Sequence, residues 1–78
     1  MKLLSTEKAI MKIETENLLT FEVDKRKNKK EIKEEIEKIL SVKIADVKTL
    51  IRGSRKIAYV KLKKEFNALD VATKLGVL

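Results

Sequence analysis

Asp46-Val47-Lys48-Thr49-Leu50-Ile51-Arg52-Gly53-Ser54-Arg55-Lys56-Ile57-Ala58-Tyr59-Val60-Lys61-Leu62 reads as two strands around a tight connection, and this stretch decides the fold. Its second run is rich in β-branched and aromatic residues, which suit a pleated, packed surface. That run belongs at the centre of a sheet. Gly53 supplies the positive φ that a short hairpin connection across Arg52-Gly53-Ser54-Arg55 requires. Just upstream, Ser41-Val42-Lys43-Ile44 leads in, and the alternation slips between Ile44 and Val47. The slip predicts a break or bulge at the start of the first run.

Working outward, Leu18-Leu19-Thr20-Phe21-Glu22-Val23 alternates Leu19, Phe21 and Val23 against Leu18, Thr20 and Glu22, the period of a strand with one buried face. Asn17 turns the chain into it. Asn28 with Glu31 three residues on has capping-box spacing, and Ile32, Ile36, Ile39 and Leu40 then form one helical stripe. Thr6 caps a shorter first helix in which Ala9, Ile10 and Ile13 share a face and Glu7 suits the positive end of the dipole. Asn67 caps a last helix in which Ala68, Val71, Ala72 and Leu75 share a face, with Gly76 as terminator. The order is helix, strand, helix, strand, strand, helix. A right-handed strand-helix-strand crossover followed by a hairpin back into the gap gives an α+β, split β-α-β arrangement. This is a ferredoxin-like variant, a small antiparallel or mixed sheet with helices packed mainly on one face.

The chain has 78 residues, 44% of them apolar, enough for one small core, so residues 1–78 are read as one domain. It contains no Cys, His, Pro or Trp. A disulfide framework, a thiolate nucleophile, an imidazole base and a Cys/His zinc site are therefore excluded. Lys, Asp, Glu, Ser, Thr and Tyr remain, but so small a domain has little room for a deep pocket, so the reading is of a non-enzyme without a cofactor. Its apolar runs fall well short of the roughly 20 residues that cross a bilayer, and Met1-Lys2-Leu3-Leu4 before Ser5-Thr6-Glu7 is not a signal peptide. A cytoplasmic protein without membrane insertion is expected.

Nineteen Lys and Arg face 12 Asp and Glu, a formal charge of +7, which attracts polyanions. The charge is unevenly placed. Asp24-Lys25-Arg26-Lys27-Asn28-Lys29-Lys30 holds five cations and one anion, while residues 31–40 hold four acids and two lysines. A second basic group, Lys48, Arg52, Arg55 and Lys56, surrounds the hairpin. Parallel crossover strands end at the same edge of the sheet, so the two groups should converge into a basic rim suited to a phosphate backbone. Ordinary solvated loops are the competing reading. Tyr59 shares a face with Ile57 and Lys61, either as an RNA contact or within a small apolar patch. Glu31, Glu34, Glu35 and Glu37 are spread around their helix among lysines, which favours a solvated face over a Mg²⁺ site.

Four stretches resemble a known family: Thr6-Glu7-Lys8-Ala9, Leu19-Thr20-Phe21-Glu22-Val23-Asp24-Lys25-Arg26, Val47-Lys48-Thr49-Leu50-Ile51 and Ala58-Tyr59-Val60-Lys61-Leu62. They lie in the right order over nearly the whole chain and are similar to large-subunit ribosomal protein twenty-three. The short turn between Arg52 and Arg55 resembles the archaeal form, since bacterial members usually extend there. Leu3 and Lys64 stand where the family often has Pro, and Ile57 where a basic residue is usual. The resemblance implies a structural protein of the large ribosomal subunit that binds rRNA at the rim of the polypeptide exit tunnel. Its implied partners are large-subunit rRNA, a neighbouring small ribosomal protein, and nascent-chain factors such as the signal recognition particle and the protein-conducting channel. Carried over, it places Lys8, Lys25, Arg26, Lys27, Lys29, Lys48, Thr49, Arg52, Arg55 and Lys56 at rRNA; Lys30 joins them from the basic run. A basic adaptor for acidic proteins and a general nucleic-acid-binding protein are the alternatives.

Overall fold

Amphipathic helices and alternating strands leave one apolar face each, and the fold brings those faces together. The computed structural model describes residues 1–76. Its elements in chain order are β1 (Lys2–Leu3), α1 (Glu7–Glu16), β2 (Leu18–Val23), α2 (Lys29–Leu40), β3 (Ile44–Arg52), β4 (Arg55–Leu62) and α3 (Ala68–Lys74). The sheet order is β1-β2-β4-β3, and every neighbouring pair is antiparallel. β2 and β3 are both antiparallel to β4, so they run parallel to each other with α2 as the crossover. The split β-α-β arrangement is therefore present, with β4 in the gap as expected.

One face of the sheet meets the helices. Leu19, Phe21 and Val23 of β2, Val47 of β3 and Ala58, Val60 and Leu62 of β4 pack with Ile13, Ile32, Ile36, Ala68 and Ala72. The register slips between Ile44 and Asp46, a bulge that lets both Ile44 and Val47 stay buried where strict alternation would expose one of them. All three caps form. Thr6 Oγ1 accepts from the Ala9 amide at 3.2 Å, Asn28 and Glu31 exchange both capping-box hydrogen bonds, and Asn67 Oδ1 accepts from the Leu69 amide at 2.8 Å. Gly76 follows α3 with a φ of +78°.

Three details differ from the sequence reading. Lys2 and Leu3 form a short edge strand, pairing with Glu22 and Phe21. Ile39 stands 64% exposed, because α2 buries only Ile32 and Ile36 and the stripe rotates off the sheet in its last turn. Leu75 is likewise exposed, so the inner face of α3 rests on Ala68 and Ala72, with Val71 half-buried. Small side chains there let α3 lie close to the core.

Candidate nucleic-acid interface

Alternation along β2, β3 and β4 turns Thr20, Lys48 and Tyr59 away from the helix-packed core. Thr20 and Lys48 are the direct cross-strand partners of Tyr59 on either side. The hairpin continues this open face through Arg52, paired with Arg55 across the turn. α1 borders the same face. Its Lys8 and Lys12, one helical turn apart, stand with Thr6 and Leu4 along one wall of a groove of about 330 Å³. Arg52, Arg55, Ile57, Tyr59 and Thr20 complete the lining. Four cations thus surround one half-exposed aromatic ring.

The Lys12 ammonium lies 5.0 Å from the centre of the Tyr59 ring. Such a contact is worth about 0.5–1 kcal/mol at an exposed site. Arg55 Nε approaches Glu22 Oε1 at 3.8 Å, a loose pair that leaves most of the guanidinium in solvent. Thr20 is 5% exposed, and its Oγ1 has no hydrogen-bond partner.

The second basic group follows β2. Lys25, Arg26, Lys29 and Lys30 are exposed. Arg26 folds back on Asp24, with its amide 2.9 Å and its Nη2 3.3 Å from the two carboxylate oxygens. These bonds, the side-chain ones foremost, hold the Asp24 carboxyl below its usual range. They shape the loop. Lys27 is half-buried and pairs with Glu35 of α2, and its carbonyl accepts a hydrogen bond from Lys56 Nζ.

The two basic groups therefore meet at one edge, where Lys56 has Val23 on one side and Ile51 on the other as backbone partners. They do not share one surface. Lys8, Lys48, Arg52 and Arg55 belong to the open face; Lys25, Arg26, Lys29 and Lys30 to the neighbouring loop and helix start. Lys27 and Lys56 join the two groups, and Thr49 lies opposite Ala58 on the helix-covered side, half-buried. Lys12 was legible only as the residue one turn after Lys8, flanking the buried Ala9 and Ile13 stripe. Thr20 carried no signal, because its burial depends on elements that meet over β2.

The acids of α2 are mostly engaged. Glu31 closes the cap, Glu35 holds Lys27, and Glu37 accepts from the Ile44 amide at 2.9 Å, which leaves Glu34 exposed. Among the described residues no group of three or more Asp or Glu is placed to hold a metal ion, and no helix is long and apolar enough to cross a membrane.

A small α+β fold with four cations around an open sheet face defines the class of small basic domains, whose surface charge attracts polyanions. The comparisons with known proteins narrow this class. The model of the family described as ribosomal protein L23 matches residues 1–69. The chain is 51% identical over 79 residues to large ribosomal subunit protein uL23 of Pyrobaculum aerophilum, covering 99% of this chain and 96% of that relative. It is 50% identical over 76 residues to the protein of the same name from Trypanosoma brucei brucei, covering 96% of this chain and 46% of that relative. The chain belongs to the ribosomal protein L23 family, a family of ribosomal structural proteins and not of enzymes. Its archaeal-type hairpin is consistent with the Pyrobaculum relative.

Proposed function

We propose that this chain binds large-subunit rRNA through the groove between α1 and the open sheet face, together with the basic loop before α2. The family makes it a ribosomal protein of the large subunit. The observation that carries the rRNA reading is the meeting of Lys8 and Lys12 from α1 with Arg52 and Arg55 from the hairpin in one groove. Cations held on separate elements around a concave face track phosphates and position a protein without reading base edges. Lys25, Arg26, Lys29 and Lys30 extend the contact along the neighbouring edge, and Lys27 and Lys56 hold that edge in shape. Thr49, opposite Ala58 on the helix-covered side, is left out of this interface.

The rim of the exit tunnel, with a neighbouring small ribosomal protein beside the chain, is the location that the family resemblance supports. The helix-covered side then remains for visiting nascent-chain factors, among them the signal recognition particle and the protein-conducting channel. An apolar groove of about 280 Å³ near Leu3, Ile36, Ile39 and Leu40 supports that assignment of sides.

Sedimentation tests the reading. The tagged chain should travel with large subunits through a gradient in moderate salt, and binding to an rRNA transcript should survive excess duplex DNA. A chain that stays at the top of the gradient refutes it. Loss of binding to DNA competitor would identify a general nucleic-acid binder instead.

A further inference from the structure

We infer that the groove is a pocket for one unstacked rRNA nucleotide, with its base on Tyr59 and its flanking phosphates on Lys8, Arg52 and Arg55. This inference rests on the rRNA-binding reading above. Size is the first support: about 330 Å³ lies at the lower end of the roughly 300–1,000 Å³ of pockets that enclose small organic molecules.

The chemistry of the floor is the second. Tyr59 is half-exposed and is the direct cross-strand partner of Thr20, so an aromatic face and a hydroxyl stand side by side. The Thr20 hydroxyl is buried and unpartnered, and a buried polar group in that condition calls for a ligand or a water. It can both donate and accept, which suits a base edge or a ribose hydroxyl equally. Lys12 now occupies the Tyr59 ring. Base stacking on an aromatic ring is the stronger contact, so an entering base displaces the ammonium toward the phosphate beside it.

These groups fit a nucleotide better than an acidic peptide. A carboxylate would satisfy the cations and accept from the hydroxyl, but it would leave the ring face with nothing to stack on it. A nucleotide presents phosphate, planar base and hydroxyl together. Bases inside a duplex are stacked on one another and cannot reach the ring, so the guest is an extruded or single-stranded residue.

The test uses the full chain and a large-subunit rRNA transcript. Ultraviolet crosslinking of the wild-type complex should leave one nucleotide on peptide 57–61, which contains Tyr59. Tyr59→Phe should bind within about twofold of wild type, whereas Tyr59→Leu should bind about 5- to 150-fold more weakly with an unchanged salt slope. Thr20→Val should raise the Tm of the free chain, since it removes an unpartnered hydroxyl, yet lower the rRNA affinity. A structural role alone would move both in the same direction. If wild type binds the transcript but Tyr59→Leu binds equally well, the pocket is refuted and rRNA binding stands. A Tyr59 crosslink to protein in assembled subunits has the same meaning. If wild type does not bind the transcript, the underlying reading fails and the pocket with it.

Discussion

Asn17 shows how much one side chain holds in place. It ends α1 at a φ of +55°, in the left-handed region that Asn tolerates better than other non-glycine residues. Its Nδ2 donates to the Phe66 carbonyl at 2.9 Å, its Oδ1 accepts from the Ala68 amide at 2.7 Å, and its own carbonyl accepts from the Leu62 amide at 3.1 Å. One residue thus ties the end of α1 to the end of β4 and the start of α3. Asn17→Ala removes the side-chain bonds and strains the backbone, and should cost about 3 kcal/mol in urea denaturation. Asn17→Gly keeps the backbone conformation and should cost about 1 kcal/mol less. Equal losses would show that backbone strain plays no part. The turn at Asn17 was legible in the sequence because it falls between two periodicities. Its partners lie some 50 residues away, and no local pattern points to them.

At the scale of elements, local chemistry predicts starts better than faces. The capping box of α2 formed as its spacing implies because Asn28 and Glu31 need only each other. Asn28→Ala should therefore destabilise the chain by about 1 kcal/mol, read as a lower urea midpoint at unchanged m-value. An unaltered midpoint would mean that the cap contributes nothing. The hairpin behaves similarly: Gly53 has a φ of +59° and its turn closes on the Arg52 and Arg55 pair. Ile39 is the contrary case. The sequence stripe includes it, but whether a helical residue is covered depends on what lies opposite. β1 escapes a sequence reading for a related reason. Two residues carry no periodicity, and they form a strand only because the edge of β2 offers unpaired backbone groups.

Across the whole molecule, the +7 charge becomes an asymmetry. α2 spends Glu31, Glu35 and Glu37 on its own cap, on Lys27 and on the Ile44 amide, whereas Lys8, Arg52, Lys25 and Lys29 remain exposed. Neutralising one phosphate-binding cation should lower the magnitude of the salt slope of rRNA binding by about 0.7–0.9. Lys8→Gln with Arg52→Gln should thus lower it by about 1.4–1.8, and Lys25→Gln with Lys29→Gln by a similar amount. Glu34→Gln, on the acidic helix, should leave slope and affinity unchanged. A slope altered by Glu34→Gln but not by the lysine and arginine variants would mean that the faces are reversed. Lys27 is a poor probe, because reversing its charge would set two carboxylates together at Glu35 and disturb the loop as well as the interface.

The sequence by itself determined the order of the elements, their caps, the bulge and the two basic runs, because each depends on neighbours within a few residues or on a simple period. Only the tertiary structure decided which cations lie side by side. β4 entering between two parallel strands brings the hairpin arginines beside Lys8 and Lys12, leaves Tyr59 and Thr20 on one floor, and turns Lys27 and Lys56 into the link between the two basic groups. Those relations depend on side chains far apart in the chain meeting across a sheet, and the core that sets the register is what brings them together.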